Sequence, residues 1–310
     1  MKLSVVIVNW NVRELLRACL LSVEKEMLLA KSEYEIVVVD NASHDGSVQM
    51  LREDFPWVIV QANEKNVGFG VANNQALALC SSEIMLLLNP DTVVLDHALD
   101  RMFAHMKSDS SVGILGSQLL NSDMTVQRWT GGASPTVWRT TVHTLFLDRV
   151  LSPRLLGDSL YIPEGVNTPR DVAWISGACL ALRRAAVGEY IFDEQFFMYG
   201  EDLELCHRVA DLGWRVVYDP TAVVLHHHGK STMQSDAAMM AGLRGPRAFY
   251  RLRYGRVGLP FWDFSVAFGF FLRTMLWSLA AVIGKPGARE RASTCWTFFQ
   301  TSLRVIGAVR

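Results

Sequence analysis

The chain has little cysteine and no cysteine pairing pattern. Its five cysteines are scattered through 310 residues without a C-x-x-C pair, which argues against a disulfide framework or a zinc knuckle and fits a reducing cytosol. The opening MKLSVVIVNWN has a single lysine, and Asn9 and Asn11 interrupt its apolar run. This segment is too short for a secretory signal and lacks a small-residue cleavage site, so we predict a buried first strand.

The sequence also lacks a large net charge, at −1, but the charge is unevenly distributed. From Arg244 to Arg310 there are eleven basic and two acidic residues, a net charge of +9, whereas the preceding 243 residues carry 19 basic and 29 acidic groups. A basic, aromatic-rich tail on an acidic body indicates an anionic partner, either a membrane or a nucleic acid. No nucleic-acid recognition motif is present, so we expect the membrane and no nucleic acid.

The first 116 residues alternate short β-branched runs with helical stretches, a pattern typical of a parallel sheet covered by helices. Strands are predicted at Leu3–Val8, Tyr34–Val39, Val58–Gln61, Ile84–Leu88 and Val112–Leu115, with helices at Val12–Lys25, Ser47–Arg52, Gly70–Cys80 and Asp96–Lys107. We therefore predict an α/β nucleotide-binding half over residues 1–116. Ligands of such sheets lie beyond the carboxyl ends of the strands.

The pattern changes twice in the rest of the chain. Residues 117–171 are rich in Gly, Pro, Ser and Thr and are predicted to be a long loop region that handles the acceptor. Regular structure then resumes, and beyond Ser231 the pattern is helical, with an apolar span at Phe264–Ile283. Strands are predicted at Cys179–Leu182, Arg215–Tyr218 and Val223–Leu225, with a helix at Glu201–Leu212. We predict one domain over 1–231, whose second half is 117–231, and a C-terminal helical region over 232–310.

Three strand ends carry polar residues that could bind a nucleotide. Asp40 could accept a hydrogen bond from a base imide or a ribose hydroxyl, and Trp10 offers a stacking face. Asn11 and Asn89 follow strands at the same edge and are assigned to the same donor site. Each of these segments can also be explained as a polar turn without a ligand.

Acidic residues and a histidine suggest a metal site and a base. Asp91 follows a buried strand and could bind Mg²⁺ or Mn²⁺ together with diphosphate oxygens. His226 opens a run of three histidines and could be a second ligand, although such a run can also be a surface cluster. Glu201 and Asp202 open a helix after an apolar run, where a carboxylate could act as a base or simply favour the helix dipole.

The segment Gly68-Phe69-Gly70-Val71-Ala72-Asn73 only superficially matches a dinucleotide-binding turn. Asn73 replaces the third glycine, and the segment does not follow the first strand. A nicotinamide-dependent enzyme is therefore not indicated.

Taken in order, the blocks VVIVNWN, VDNASHDGS, NVGFGVANNQ, LLLNPDT, SGACLALRR, FDEQFFMYGEDLELCHR and AVVLHHHGKS make the chain resemble a family 2 glycosyltransferase of the bacterial rhamnosyltransferase type. The resemblance runs from about Leu3 to Ser231 and implies a GT-A type nucleotide-sugar-binding fold with a mainly parallel sheet, followed by a C-terminal helical, membrane-associating segment. It implies an inverting, metal-dependent hexosyltransferase of cell-surface polysaccharide synthesis, peripheral on the inner face of the cell membrane.

The resemblance also implies roles for individual residues. Asp40 would contact the base with Trp10 against it, and Gly68 and Asn74 would lie near the nucleotide. Asp91 would be the surviving acid of a D-x-D motif in which Asn89 replaces the first acid, so metal affinity would be modest. Asp202 would be the base beside Glu201, and His226 the second metal ligand.

The resemblance leaves the substrates open. It favours L-rhamnose from dTDP-rhamnose as donor and a glycan or polyprenyl-diphosphate-linked glycan as acceptor, while other hexosyl, N-acetylhexosaminyl and galactofuranosyl donors remain alternatives. A sugar nucleotidyltransferase would need a glycine-rich loop after the first strand, and Asn9–Arg13 contains no glycine. An inactive glycan-binding or scaffold relative is the alternative of another class. The C-terminal helices could also pack in a homo-oligomer instead of on a membrane.

Overall fold

The computed structural model describes residues 1–147, 159–163, 165–227 and 236–307. The chain divides into two compact units. The first unit comprises Met1–Gly132 and Tyr161–Thr232, and the second comprises Ala133–Leu160 and Met233–Arg310.

The first unit is an α/β sandwich built around one large sheet. Its strands are β1 (Leu3–Asn9), β2 (Tyr34–Asp40), β3 (Ile59–Ala62), β4 (Ile84–Leu88), β5 (Thr92–Val94), β6 (Val112–Leu120), β7 (Gly131–Gly132), β8 (Arg170–Asp171), β9 (Trp174–Ile175), β10 (Cys179–Arg183) and β11 (Arg215–His226). Its helices are α1 (Arg13–Glu26), α2 (Ser47–Asp54), α3 (Phe69–Leu79), α4 (Ala98–Ser108), α6 (Arg184–Val187) and α7 (Glu201–Asp211). Helix α5 (Val137–Thr144) lies in the second unit.

The main sheet has the strand order β3-β2-β1-β4-β10-β6-β11-β5, with β8 paired to β11. Strands β3, β2, β1 and β4 are parallel, β10 is antiparallel to both of its neighbours, and β6 is parallel to β11. Strands β7 and β9 form a separate antiparallel pair. The expected mainly parallel α/β fold is confirmed.

The central strands are buried along their whole length, which explains their continuous apolar sequence. Every residue of β1, β4 and β10 is buried. Helices α1 and α4 contribute Leu16, Leu20 and Met102 to the core that covers one face of the sheet. A parallel sheet covered on both faces needs apolar side chains at successive positions, and the alternating pattern of half-exposed strands is absent for that reason.

Two adjacent arginines at the end of β10 tie helix ends to the sheet. Arg183 donates to the carbonyls of Met106 and Asp109 at the end of α4, and Arg184 donates to those of Leu77 and Cys80 at the end of α3. These carbonyls have no partner within their helices. The paired arginines of the SGACLALRR block therefore have a structural role.

Strand β11 differs from the two short strands predicted there. It is one 12-residue strand whose pairing with β6 shifts register between Asp219 and Val223. Pro220 lies in this irregularity, where a residue without an N–H group is tolerated. The short strand β5, three residues after Asn89, was not predicted.

Residues 117–171 also differ from the predicted long loop. Strand β6 continues to Leu120, the chain returns so that Val126 bridges Leu120, and Gln127 donates its N–H to the Leu119 carbonyl. Helix α5 (Val137–Thr144) follows and groups with the C-terminal helices in the second unit. Its Thr140 hydroxyl bonds to the Tyr250 hydroxyl, which explains why polar residues occur on a packed helix.

The second unit is helical in its described part. Helix α8 spans Asp236–Val282 with a non-helical Gly255, and α9 spans Ala288–Gly307. The two helices pack together, with the rings of Phe270 and Phe298 stacked 4.9 Å apart. Within the described residues, one helical stretch, Met239–Val282, is long and apolar enough to cross a membrane by length and composition.

Candidate active site

The ends of β1 and β2 form a hydrogen-bonded clamp. The Asn9 amide donates to Asp40 Oδ2 at 2.8 Å and to Ser43 Oγ at 3.1 Å, while the Ser43 backbone N–H donates to Asp40 Oδ1 at 2.8 Å. Asp40 is only 1% exposed. Its carboxylate therefore fixes the loop after β2 and offers little surface to a ligand in this arrangement.

The residues that face solvent at this edge lie just above the clamp. Trp10 is 41% exposed. Asn11 receives the His44 N–H on its side-chain oxygen at 2.7 Å and donates its own N–H to Ser43 Oγ. Asn11 and Ala42 have φ angles of 52° and 63°, an uncommon conformation that clusters at functional sites. The two loops thus hold the Trp10 indole at the sheet edge.

Gly68 and Asn74, both predicted to lie near the nucleotide, have different surroundings. Gly68 has a φ of 91°, and a Cβ there would lie 2.9 Å from the Phe197 ring, so only glycine fits. The Asn74 amide is engaged with the chain at Ile191 and Phe192: it accepts both of their N–H groups at 2.9 and 3.0 Å and donates to the Phe192 carbonyl. Asn74 therefore ties helix α3 to the Ile191–Phe192 segment, and its place near the nucleotide stays a prediction.

Asp91 and His226 are brought together by the pairing of β5 with β11. His226 pairs with Thr92 in this ladder, and His226 Nε2 lies 3.3 Å from Asp91 Oδ1. Both side chains are buried. Asn89, two residues earlier, uses its backbone carbonyl to accept the Thr92 hydroxyl at 2.7 Å, which forms the turn that directs Asp91 toward the histidine.

Gln127 orients the histidine ring. Its side-chain nitrogen donates to the carbonyls of His226 and Leu120 at 2.7 and 3.3 Å, so its oxygen, 3.0 Å from His226 Nδ1, must be the acceptor. This assigns the Nδ1 proton and turns Nε2 toward Asp91. Gln127 has no local sequence signature, because it is a lone glutamine in a segment predicted to be a loop.

The Asp91–His226 pair fits a divalent cation. Two ligand atoms that each lie about 2.1 Å from one octahedral ion are roughly 3 Å apart, close to the observed 3.3 Å between carboxylate oxygen and imidazole nitrogen. The carboxylate oxygen suits Mn²⁺ or Mg²⁺, and the imidazole nitrogen is a ligand typical of transition-metal ions. No group of three or more His, Cys, Asp or Glu residues that could hold a metal occurs among the described residues. His228, Gly229 and Ser231 lie outside the described residues.

Glu201 and Asp202 begin α7. Burial raises the pKa of Asp202, and hydrogen bonds from the backbone N–H groups of Leu203 and Gly177 offset part of that rise. Burial, and then the neighbouring Asp202 charge, raise the pKa of Glu201, whose Oε2 has no hydrogen-bond partner among the described residues. The pKa of both carboxyls is therefore raised, and Asp202 is the one whose carboxylate receives hydrogen bonds from backbone N–H groups.

The two carboxylate sites lie at the same edge of the sheet. Asn89 donates its N–H to the carbonyl of Ala178, at the start of β10. The adjacent Gly177 donates to Asp202 and packs close to its Cβ. Asn89 thus connects through Ala178 and Gly177 to Asp202, which lies near the turn that carries Asp91. These hydrogen bonds place the Glu201–Asp202 pair beside the turn that carries Asp91, and the pairing of β5 with β11 adds His226.

Comparison with known proteins identifies related sequences. Residues 4–191 match the family model described as Glycosyl transferase family 2. The N-acetylglucosaminyl-diphospho-decaprenol L-rhamnosyltransferase of Mycobacterium tuberculosis is 29% identical over 227 residues, which cover 69% of this chain and 73% of that protein. The O-antigen biosynthesis protein RfbC of Myxococcus xanthus is 29% identical over 260 residues, 77% of this chain and 18% of that protein.

Solved structures share the fold. A mannosyltransferase from Pyrobaculum calidifontis, in complex with GDP-Man and Mn²⁺, has a TM-score of 0.58 at 16% identity and covers 100% of this chain and 88% of its own. GalNAc-T7 with UDP, GalNAc and Mn²⁺ has a TM-score of 0.56 at 18% identity and covers 83% and 51%. The expected GT-A type fold is confirmed.

Proposed function

Because the chain belongs to glycosyl transferase family 2, we propose that it transfers a sugar from a nucleotide-diphosphate donor to a lipid-linked glycan with inversion at the anomeric carbon. The observation that carries this proposal is the meeting of the Asp91–His226 pair and the Glu201–Asp202 pair at one edge of the sheet. The name of the mycobacterial relative favours L-rhamnose, from dTDP-rhamnose, as the sugar and a polyprenyl-diphosphate-linked glycan as the acceptor.

The donor lies along the edge formed by β1, β2 and β4. Trp10 is exposed for stacking on the base, and the loop carrying Asn11 and Ala42 is held by the Asn9–Asp40 clamp. The diphosphate then extends toward Asp91 and His226, which would hold Mn²⁺ or Mg²⁺. A cation bound there would supply positive charge to the departing nucleotide diphosphate.

Asp202 is the base of a single displacement. The acceptor hydroxyl oxygen forms a bond to the anomeric carbon as the bond from that carbon to the diphosphate oxygen breaks, and its electrons leave with the nucleotide. Asp202 takes the hydroxyl proton, which its raised pKa favours. Attack occurs opposite the leaving group, so the configuration inverts. Glu201 lies beside this base, and burial together with the neighbouring Asp202 charge raises its pKa.

A donor screen tests the proposed activity. The purified chain with Mn²⁺ is incubated with dTDP-rhamnose and with UDP- and GDP-linked hexoses, and released nucleotide and thermal stability are measured. We expect nucleotide release with one donor class, and a donor at 100 times its Kd is expected to stabilise the fold by about 2.7 kcal/mol. Binding without release from any donor, even with farnesyl-diphospho-N-acetylglucosamine present, would instead favour a non-catalytic relative.

The second unit has a surface suited to a membrane. Along α8, exposed large apolar side chains recur every three or four residues. Each residue of an α-helix is rotated by about 100° around the helix axis, so these side chains lie within an arc of about 80° on one face of the helix. We call this surface the apolar stripe: Val257, Phe261, Phe264, Phe268, Phe271, Met275, Leu279 and Val282. An exposed apolar surface of this length is unusual for a soluble protein and is typical of an interaction site.

Charge favours a lipid surface as the partner of the apolar stripe. Exposed Arg251 and Arg256 precede the stripe, and Lys285 and Arg289 follow it, so basic groups at both ends can meet anionic headgroups. Arg273 lies on the opposite face of α8, where it donates to the His143 carbonyl and lies over the Phe146 ring. This favours a helix lying in the membrane interface, because a spanning helix would immerse Arg273 as well.

Flotation with liposomes that contain anionic phosphatidylglycerol tests this surface. Replacing Phe261, Phe264 and Leu279 by Gln is expected to weaken binding roughly a thousandfold, since each buried apolar side chain contributes about 1.5 kcal/mol or more. The matched control replaces exposed leucines of the first unit, Leu21, Leu28 and Leu212, by Gln and is expected to float like the unmodified chain. The membrane assignment would be contradicted if the unmodified chain does not bind the liposomes at low salt. It would also be contradicted if the unmodified chain is a dimer and the stripe variant is a monomer, because the stripe would then be a dimer interface.

A further inference from the structure

Trp129 is an exposed aromatic side chain on a hydrogen-bonded segment. Its indole is 58% exposed, whereas Gln127, two residues before it, and Thr130, one residue after it, are buried. The segment is held by hydrogen bonds from Gln127 to Leu119, from Thr130 to Gln127 and from Ser176 to Thr130. Gly131 lies so close to the Trp174 carbonyl that a Cβ would be 2.7 Å from it. This backbone therefore presents the indole in a fixed position.

The indole is supported from within the first unit. The buried Tyr161 ring meets Trp129 edge to face at 4.8 Å, and Tyr161 in turn contacts Trp174 at 6.2 Å. The Arg128 guanidinium lies 4.8 Å from the centre of the Tyr161 ring. These contacts limit the motion of Trp129. In this respect Trp129 differs from scattered exposed leucines such as Leu28, whose exposure needs no explanation.

The residues around Trp129 are linked by hydrogen bonds to both pairs of candidate catalytic residues. Two residues before it, Gln127 orients His226. One residue after it, Thr130 accepts the N–H of Ser176, and the next residue, Gly177, donates to Asp202. Strand β4, which leads to Asp91, lies between two parts of the sheet. Strand β1, which is followed by Trp10, lies on one side of β4. Strands β6 and β11, which lead to Trp129 and His226, lie on the other side of β4. Trp129 is thus on the side of the site away from the donor base.

We propose that Trp129, supported by Tyr161, is the platform on which the acceptor sugar stacks. A pyranose ring has an apolar C–H face with hydroxyls at its edges, and a large aromatic surface can cover that face while polar groups bind the rim. Stacking there would direct an acceptor hydroxyl toward Asp202. The inference rests on the proposed function, because it takes the stacked sugar to be part of the acceptor glycan of that reaction.

The test compares Trp129→Ala, Trp129→Phe and Trp10→Ala with the unmodified chain, using farnesyl-diphospho-N-acetylglucosamine as probe and the donor found in the screen. Trp129→Ala is expected to raise the KM for the probe roughly tenfold or more, with the donor KM and the rate of donor hydrolysis without probe unchanged. Trp129→Phe is expected to restore most of the loss, and Trp10→Ala to raise the donor KM instead. Saturation-transfer NMR is expected to show contact with the sugar ring protons in the unmodified chain but not in Trp129→Ala.

The outcomes separate the two proposals. Donor hydrolysis without probe tests the transferase and is independent of Trp129. If donor hydrolysis occurs but the unmodified chain transfers no saturation to the sugar ring protons, the assignment of Trp129 as the acceptor platform is wrong. An unchanged probe KM in Trp129→Ala, or equal losses in probe KM and donor KM, would overturn it too, and circular dichroism with thermal melting identifies a variant that has merely lost its fold.

Discussion

Replacing Asp202 by Asn is expected to lower kcat by roughly 10²–10⁴ while leaving donor affinity nearly unchanged. The amide keeps the shape of the side chain but cannot take a proton, and general-base catalysis contributes an effect of about that size. Single-turnover kinetics with saturating donor and probe acceptor, together with calorimetric donor binding, measure the two quantities separately.

The pH profile gives this expectation a second test. Because burial raises the pKa of Asp202, its carboxylate form is reached only above the ordinary aspartate range, so kcat is expected to rise with pH through that raised pKa. Asp202→Asn should lose this acidic limb. Glu204→Gln, on the same helix but paired with Arg208 at 2.9 Å, is the matched control. A larger loss in Glu201→Gln than in Asp202→Asn would show that the base is Glu201.

Replacing Asp91 by Ala is expected to lower turnover by at least about a thousandfold. Metal-ion stabilisation of a departing diphosphate is worth several kcal/mol, and each 1.4 kcal/mol corresponds to a factor of about ten. Mn²⁺ binding, followed by electron paramagnetic resonance, is expected to weaken in parallel, because the pair would be left with His226 alone. The binding measurement does not depend on activity.

Two further variants show whether the loss belongs to the metal site. Asp96→Ala removes an exposed acid a few residues away, which pairs with Arg101, and is expected to leave turnover and Mn²⁺ binding unchanged. Gln127→Leu removes the group that orients His226 and is expected to weaken Mn²⁺ binding about 10–100-fold. Full activity of the unmodified chain after dialysis into excess EDTA would show that the reaction does not need a divalent metal ion.

The strand ends of the site could be predicted from sequence because parallel β-sheets follow a general rule. Apolar runs that end in Asn9, Asp40 and Asn89 must place those residues at one edge of the sheet, and the structure does so. The pairing of β5 with β11, which brings His226 to Asp91, is a contact between distant segments. No local periodicity encodes that contact, so the sequence connected the two residues only through their chemistry, as a carboxylate and an imidazole that could share a metal ion, and through the resemblance to a family.

What sequence reasoning missed are the contacts that side chains make with partners far along the chain. Asn74 satisfies backbone groups 117 and 118 residues away, and Gln127 bonds to a histidine 99 residues away. Neither position has a local signature. Helix α5 was hidden in a Thr-rich stretch because its hydroxyls bond within the second unit, as between Thr141 and Ser265 at 2.7 Å; composition alone favours a loop there.

The configuration of the transferred sugar tests the account most directly. Proton NMR can follow the anomeric signal from the first minutes of reaction, with the donor from the screen and farnesyl-diphospho-N-acetylglucosamine as acceptor. A single displacement assisted by Asp202 predicts a product whose anomeric configuration is opposite to that of the donor from the earliest time point. A product that retains the donor's configuration would contradict the single displacement and the role of Asp202 as its base.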